Sequence, residues 1–302
     1  MRDTLPLALA ITFVAVAGCS EGHVEPFPGA VPMQPMAGAA PEPGCGGTAI
    51  FDPVPALDCA SLAAAAPAAS VDALPGGYWT GQFLNETQAV QGYMQAMVGE
   101  DGRFQILAYR TNETNLCNNW EAALSGTMTT DGNALSGGGR IIAVKPTLAD
   151  GTLAADLQVE GVAAERDRLS GTWNASSGDA GCFDLHQYWA SDYEVTSALE
   201  YLAGNWTDHY ADSRTRLAVD ADGSFAGGDQ DGCVWAGRFG LIDDSYGLYE
   251  FETDIRSCDR AGQFTGLAWH GAGWDPGERW LMVLANDGEL VMRVTFSNRP
   301  LP

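Results

Sequence analysis

The sequence predicts an all-β protein, with two tandem eight-stranded up-and-down antiparallel β-barrels after a disordered tether. Three observations support this class. After Pro75, short runs of β-branched and aromatic residues alternate with turns rich in Gly, Asp and Asn. The pattern occurs twice, since "GYWTGQF" (residues 77–83) matches "GNWTDHY" (204–210) and "LCNNWEAALSG" matches "GCVWAGRFG". Tight hairpin signals such as "DADG" and "ANDG" join the strands, and closing such a meander into a barrel removes its exposed edges.

Length and charge limit the functional classes. The chain has 302 residues, which suggests about two domains. Its net charge is -24, from 15 basic and 39 acidic residues, and Lys145 is its only lysine. Such an acidic protein lacks the basic surface that nucleic-acid binding needs, and it is a poor electrostatic partner for anionic lipid. We therefore expect no nucleic-acid partner.

The N-terminus carries an export signal. Residues 1–18 contain an apolar run from Leu5 to Val16, which is long enough for a signal peptide and too short to span a bilayer. The run ends in "VAGC", with small residues at Ala17 and Gly18 before Cys19. This motif resembles the lipobox of bacterial lipoproteins. The resemblance implies cleavage before Cys19, lipidation of that cysteine and anchoring in the cell envelope, with Ser20 favouring the outer membrane.

Residues 19–74 form the predicted tether. Stretches such as "EPFPGAVPMQPMAGAAPEPG" are rich in Pro, Ala and Gly and bury too little apolar surface to offset the entropy of ordering. "SLAAAAPAAS" predicts a helical turn that Pro67 breaks. The tether would connect the lipid to the globular part.

Seven cysteines are present, which is an odd number for an exported protein. Lipidation of Cys19 leaves six, and an oxidising compartment would keep them as disulfides. Fifteen pairings are open, of which segment boundaries favour 45–59, 117–182 and 233–258. Cys233 begins the fourth strand of the second copy and Cys258 follows the fifth, so these two should meet at one rim. The pair Cys117 and Cys182 is less secure, because those strand starts lie across the barrel from each other.

The domain boundaries follow from the repeat. We expect the first barrel over residues 75–190, a linker helix over 191–202 and the second barrel over 203–302. Val195, Leu199 and Leu202 lie at helical spacing in the linker. The eight strands of the second copy are predicted at 203–210, 213–220, 224–229, 232–241, 247–256, 262–270, 278–286 and 289–297.

The Gly-x-Trp motif that opens each copy supplies a resemblance. Gly77 with Trp79, and Gly204 with Trp206, resemble the first strand of lipocalins and avidins, the calycin barrels. The resemblance implies that each Trp plugs one end of its barrel. The repeats also resemble small envelope β-barrels that inhibit lysozyme or metalloproteases, and "LSGGGR" (residues 135–140) is similar to a Ser-Gly inhibitory loop.

No catalytic constellation is visible, since the chain lacks H-E-x-x-H, G-x-S-x-G and C-x-x-C motifs. We therefore expect no catalytic residue, no metal site and no cofactor.

"WHGAGWDPGERW" supplies four candidate rim-binding residues, which form either a ligand lid or a structural hydrophobic cap, and the cap is favoured: Trp269, His270, Trp274 and Trp280.

These features predict a lipid-anchored, non-enzymatic binding module of the bacterial cell envelope. Bulky aromatics predict filled barrel interiors, so the barrel rims or outer surface would bind an envelope protein or a glycan. An inhibitor of an exported hydrolase and a lipocalin-like small-ligand barrel are the alternatives. An apolar cavity of ~300 Å³ or more in either barrel would contradict the filled interior.

Overall fold

The computed structural model describes residues 57–63, 75–110, 120–143, 148–164, 166–188, 193–208, 215–272 and 277–298. The predicted signal peptide, Cys19 and most of the predicted tether lie outside these residues, so what the sequence predicts for them stays a prediction. Among the residues described, no helix is both long and apolar enough to cross a membrane.

The first eight strands form one closed antiparallel barrel in which sequential strands are neighbours and β1 also pairs with β8. They are β1 (Gly77–Asn85), β2 (Val90–Val98), β3 (Arg103–Arg110), β4 (Trp120–Asp131), β5 (Ala134–Ala143), β6 (Ala154–Ala164), β7 (Arg168–Ala175) and β8 (Ala180–Gln187). "LSGGGR" lies within β5. Its comparison with an inhibitory loop is therefore wrong, because a strand inside a closed barrel has both edges paired and cannot project as a loop.

The second eight strands close in the same way, with β9 between β10 and β16. They are β9 (Gly204–Asp208), β10 (Arg216–Val219), β11 (Ser224–Gly228), β12 (Val234–Leu241), β13 (Leu248–Arg256), β14 (Gly262–Ala272), β15 (Arg279–Asn286) and β16 (Val291–Ser297). All eight predicted strands are found. The predicted all-β class with two eight-stranded barrels is confirmed.

The linker differs from its predicted form. Its described part contains a 3₁₀-helix of three residues, Leu199–Tyr201, after an extended Ala198. Leu202 is fully buried, whereas Val195 is exposed, so the apolar residues do not share one helical face. A helix spanning 191–202 is therefore wrong. The chain here is positioned by tertiary contacts: Ser197 N donates to Asp244 O, and Leu202 packs into the second barrel.

Inward-facing glycines allow the strands to approach closely where each barrel bends. Gly126 pairs with Gly139, and Gly161 pairs with Gly171. A Cβ on Gly139 would lie 1.9 Å from the carbonyl oxygen of Ser125, which is far inside van der Waals contact. Since the obstructing atoms belong to the backbone of the neighbouring strand, no rotamer change could relieve the contact.

A tryptophan fills the same end of each barrel, which we name the closed end. Trp79 and Trp206 are fully buried, and each donates its indole N–H to a backbone carbonyl four residues earlier, at Pro75 (3.0 Å) and Leu202 (2.7 Å). Arg279 lies over the Trp206 ring at 5.3 Å and donates to Tyr201 O. The repeated bond supports the internal duplication of the sequence.

The two barrels pack against each other through side chains that point outward from their strands. The first barrel and the second each contribute five buried residues to this cluster, which we name the seam: Tyr78, Met97, Leu107, Tyr109 and Ala123, and Leu248, Leu267, Trp269, Met282 and Leu284. Tyr78 stacks on Trp269 with ring centroids 5.6 Å apart. Polar contacts flank the seam, since Arg103 donates to Glu250, and Asn286 Nδ2 donates to Gln105 Oε1 at 3.1 Å.

The disulfides confirm one predicted pair and overturn two. Cys233 bonds to Cys258 at a rim of the second barrel, as strand order predicted. Cys59 bonds to Cys182 across 123 residues, so the predicted pairs 45–59 and 117–182 are wrong. Short helix α1 (Cys59–Ala63) packs on the outside of β7 and β8, which brings Cys59 to Cys182. The prediction paired cysteines by their position along the chain, whereas the fold brings together two cysteines that are far apart in the sequence. Cys45 and Cys117 lie outside the described residues.

Replacing Gly139 with alanine tests the close strand approach. We expect Gly139→Ala to lower the free energy of unfolding by roughly 1–3 kcal/mol, because the added methyl overpacks against backbone atoms. The matched control is Gly138→Ala on the same strand, whose Cβ would come no closer than 3.2 Å to any atom. Urea unfolding monitored by tryptophan fluorescence measures both. Equal stability of the two variants would contradict the argument.

Candidate functional site

The end of the first barrel opposite Trp79 carries the longer connections, and we name it the mouth end. Strand order places four connections there, and the described residues of three of them are 86–89, 148–153 and 176–179. Three of these loops contain described residues that meet around one carboxylate. The mouth end is therefore a defined structure rather than a set of independent hairpins.

Asp179 is that carboxylate, and it is fully buried. Its Oδ1 accepts from Asn85 Nδ2 (3.0 Å) and from Gln88 Nε2 (2.8 Å). Its Oδ2 accepts from Ser177 Oγ (2.8 Å) and from the backbone N–H of Ala149 (2.7 Å). Gln88, Ala149 and Ser177 belong to three different connections at the mouth end, and Asn85 is the last residue of β1. One buried charge thus fixes the positions of three loops relative to one another.

The electrostatics of Asp179 agree with this role. Burial by itself would raise the pKa of its carboxyl, but the hydrogen bonds from Ala149, Asn85, Ser177 and Gln88 outweigh burial and hold the pKa below its usual range. The group is therefore ionised at neutral pH and accepts hydrogen bonds only. Such a group is suited to holding loops, whereas a general acid would need a raised pKa.

A small apolar hollow lies directly inside this ring of loops. It measures about 40 Å³, and a second hollow of about 20 Å³ lies deeper. Trp173, Leu124 and Met94 line both. Pockets for drug-sized molecules measure roughly 300–1,000 Å³. The first barrel is therefore nearly filled, as predicted, and its mouth has room for only a few atoms.

Trp173 lines the hollow together with the polar residues Asn85 and Gln88. Its side chain faces inward from β7 and is 4% exposed, and its indole N–H has no hydrogen-bond partner. The other inward-facing indoles Trp79, Trp206 and Trp235 each donate, the last to Asp229 Oδ2 at 3.3 Å. A buried donor without an acceptor costs about 1–3 kcal/mol, which an incoming acceptor would relieve.

The corresponding end of the second barrel is held by ion pairs. Arg260 Nη2 donates to Asp229 (2.8 Å) and to Asp231 (2.9 Å), beside the Cys233–Cys258 disulfide. Stacked rings fill the interior below, with Phe225 and Phe251 centroids 5.5 Å apart. The buried polar groups that are described at this rim form hydrogen bonds and ion pairs with one another.

An open depression of about 640 Å³ also lies over β9, β10 and β11. Its walls combine the outward-facing Asn205, Arg216 and Ala218 with the edges of Trp206 and Leu217. None of its lining side chains is a buried polar group without a partner. The depression therefore lacks a buried donor comparable to the Trp173 N–H.

The predicted rim-binding residues lie elsewhere than expected. Trp269 is 1% exposed and lies in the seam, where it packs against residues of the first barrel. Its assignment to a rim is therefore wrong. Trp280 is also buried, on the outward face of β15. His270 points into the second barrel and meets Trp206 edge to face at 6.1 Å. Trp274 lies outside the described residues.

His270 is the most strongly perturbed histidine of the described chain. Burial lowers its pKa to about 4, and the positive charge of Arg279 adds to the effect. Its Nε2 has no hydrogen-bond partner. The ring is therefore neutral at physiological pH, and it contributes packing at the closed end of the second barrel rather than chemistry.

The residues that build the mouth were missed at the sequence level. Asp179 lies in "SSGDAG", a sequence typical of an ordinary turn. Trp173 lies in a pattern typical of a core strand. No local signal joins Asp179 to Asn85 and Gln88, which are about ninety residues away. Only closure of the barrel through β1 and β8 brings them together.

The fold and the mouth define a two-barrel protein with one partly open, loop-stabilised barrel end. Within the described residues, no group of three or more His, Cys, Asp or Glu side chains is placed to hold a metal ion. No protein-family model, curated protein sequence or solved structure matches this chain. The calycin resemblance therefore remains a prediction.

Truncating Trp269 tests its role in the seam. We expect Trp269→Ala to lower the free energy of unfolding by about 3–5 kcal/mol, because a large buried ring leaves a cavity between the barrels. Calorimetry should then resolve separate transitions for the two barrels, since less contact couples them. Val234→Ala, at a half-exposed position on β12, is the control and should leave the thermogram unchanged. An unchanged Trp269→Ala thermogram would contradict the seam.

The buried His270 predicts a dependence of stability on pH. Its pKa is lower in the folded state than in the unfolded state, where it is about 6.5, so unfolding takes up a proton below that pH. Stability present above pH 6.5 is therefore lost as the pH falls towards 4, by up to about 3 kcal/mol. His270→Phe should remove this contribution. Denaturant unfolding of both proteins from pH 8 to 4 measures it, and parallel curves would refute it.

Proposed function

We propose that this protein is a lipid-anchored binding protein of the bacterial cell envelope whose mouth end of the first barrel contacts a protein or glycan partner. The observation that supports the proposal most directly is the mouth itself. Buried Asp179 fixes the loops, and Trp173, which lines the hollow within their ring, has a buried indole N–H without an acceptor. Natural binding surfaces combine such rigid loops with aromatic side chains.

The dimensions of the hollow favour a surface partner over an enclosed small molecule. About 40 Å³ accepts the tip of a side chain or part of one sugar, and the remaining contacts would come from the rim. The part of the partner that enters the hollow would be mostly apolar, because most of the walls are apolar residues such as Phe83, Val90 and Leu148. It would carry an acceptor for the Trp173 N–H. This chemistry supports a binding role without a catalytic step.

The anchor is the second part of the proposal. The lipobox ending at Cys19 and the low-complexity stretch after it support export and lipidation. About forty residues separate Cys19 from Cys59, and a flexible chain of that length has an end-to-end distance of roughly 35 Å. The barrels would therefore act close to the membrane that holds the lipid.

Site-specific photo-cross-linking in intact cells tests the binding surface. A photoreactive residue replaces Glu86, which is exposed on the first mouth loop, or Glu289, which is exposed on a hairpin at the corresponding end of the second barrel. We expect a discrete cross-linked species from position 86 and none from position 289. Trp173→Phe removes the N–H and keeps an aromatic, though smaller, side chain, and it should weaken binding roughly tenfold.

The outcome that counts against the proposal is equally specific. Equal cross-linking at both positions, or none at position 86, would show that the mouth end is not the binding surface. An unchanged cross-linking yield in Trp173→Phe would show that the indole N–H does not contribute to binding. Asp179→Asn, which weakens the loop contacts without touching the hollow, separates loop order from direct contact.

A further inference from the structure

The two disulfides differ in their access to solvent. Cys59 and Cys182 are 7% and 0% exposed, so their bond is buried where α1 packs on β8. In the second bond Cys233 is 2% exposed, whereas Cys258, in the connection between β13 and β14, is partly exposed. Exposed disulfides are as a rule reduced more easily than buried structural ones. The Cys233–Cys258 bond is therefore the one that a thiol of another molecule can reach, and it is reached from the side of Cys258.

A guanidinium lies against the buried sulfur of this bond. Arg260 Nη2 is 3.5 Å from Cys233 Sγ, and it also donates to the carboxylates of Asp229 (2.8 Å) and Asp231 (2.9 Å). The positive charge of Arg260 offsets these two carboxylates, which by themselves would oppose a negative charge on the sulfur. A cation beside a cysteine favours its thiolate, and a more stable thiolate leaves faster in thiol–disulfide exchange. Cys233 is therefore the sulfur suited to leave when the bond is opened.

The backbone next to the exposed cysteine is strained. Ser257 has a φ of 68°, in the left-handed region that residues with a Cβ adopt at a cost. The turn holds it there, since Ala261 N donates to Cys258 O at 3.1 Å, and the disulfide fixes the turn to the neighbouring connection. Backbone strain of this kind is concentrated at functional sites. Once the bond is open, fewer contacts hold Ser257 in this conformation, so part of the strain is relieved.

The second barrel does not need this bond in order to stay closed. β13 is joined to β12 and to β14 by ladders of eight residue pairs each. At the rim, Cys233 N donates to Asp229 Oδ1 at 3.1 Å, and Arg260 joins the two connections through Asp229 and Asp231. These contacts are independent of the S–S bond. Opening is therefore local, and the two sulfurs stay near enough to reform the bond.

We propose that the Cys233–Cys258 disulfide is a thiol–disulfide exchange site, opened when a protein dithiol attacks Cys258. The attacking thiolate bonds to Cys258 Sγ, and the electron pair of the broken S–S bond goes to Cys233, whose thiolate Arg260 holds. The second thiol of the dithiol then displaces Cys258 from the mixed disulfide. The dithiol becomes a disulfide, and its two electrons and two protons leave Cys233 and Cys258 as thiols.

This inference is independent of the proposed partner site. Both sulfurs and Arg260 lie in the second barrel, away from the mouth end of the first barrel and from the predicted lipid anchor. Failure of either proposal leaves the other standing. The kind of partner implied here is a dithiol oxidoreductase, which would meet the rim formed by the β11–β12 and β13–β14 connections.

Timed alkylation tests which bond opens. The folded full-length protein is incubated with dithiothreitol, quenched with N-ethylmaleimide at intervals and digested with trypsin. Cys233 and Cys258 lie in peptides 217–238 and 257–260, and Cys182 lies in peptide 169–214. We expect the first two peptides to be labelled at least roughly tenfold faster than the third. Equal rates, or faster labelling of peptide 169–214, would overturn the inference.

A trapped mixed disulfide tests which sulfur is attacked. Thioredoxin whose second active-site cysteine is replaced by serine cannot complete the exchange, so it stays bonded to the sulfur that it attacks. We expect the adduct on peptide 257–260, which contains Cys258, and none on peptide 217–238. An adduct on peptide 217–238, or no adduct at all, would overturn the attack on Cys258.

Substitution of Arg260 tests the leaving group. Arg260→Gln should slow reduction of the Cys233–Cys258 bond by roughly threefold to tenfold, because the departing Cys233 thiolate then faces Asp229 and Asp231 without a cation. Arg260→Lys keeps the charge and should retain most of the rate. Slow labelling of peptide 169–214 in each variant shows that the protein is folded. Reduction of Arg260→Gln at the wild-type rate would refute the role of the guanidinium.

Two nearby substitutions separate this contact from a general effect of charge. Asp231→Asn removes one of the carboxylates that Arg260 binds, and it should raise the rate because more of the positive charge is available to the thiolate. Arg238→Gln is the matched control, since Arg238 is an exposed arginine of β12 that pairs with Glu252. It should leave the rate unchanged. Equal slowing in Arg238→Gln and Arg260→Gln would show that net charge, and not the Arg260 contact, controls the exchange.

Discussion

Closure of each eight-stranded sheet is the constraint on which the rest of this structure depends. Pairing of β1 with β8, and of β9 with β16, leaves no sheet edge exposed in either unit. Closure at this strand number demands sharp bends, and glycines at inward positions such as Gly126 and Gly139 permit them. The small diameter that results is why side chains fill the interiors and leave hollows of only tens of Å³.

Once the interiors are filled, the remaining apolar surface must be covered from outside. The outward faces of β1–β4 and β13–β15 carry aromatic and aliphatic residues that would be unfavourable in water, and the seam buries them against each other. The same contact immobilises the linker, because Tyr193 donates to Glu100 at 2.7 Å and stacks on Tyr246. The duplicated barrels are thus a packed pair, while the acidic residues that give the net charge of -24 keep the outer surface solvated.

The two ends of the first barrel are held by different polar contacts. At the closed end, Trp79 donates to Pro75, and Arg166 pairs with Glu100 at 2.9 Å. At the mouth end, Asp179 holds the loops. Buried polar atoms without a partner occur towards both ends, at Trp173 and at Gln187. The Cys59–Cys182 bond attaches the tether near the mouth end. The mouth end is therefore where the loops are gathered around one carboxylate and where Cys59 is attached to the barrel.

The sequence alone determined the architecture because its signals are local: alternation along strands, Asp-Gly turns and the two Gly-x-Trp starts place all eight strands of the second barrel. It also identified the Cys233–Cys258 pair, since strand order in a meander predicts which ends meet. Tertiary structure alone decided that Cys59 reaches Cys182, that Trp269 covers the other barrel and that Asp179 gathers Asn85 and Gln88. Each of these contacts joins residues far apart in the chain, and their geometry exists only after the sheets have closed and packed.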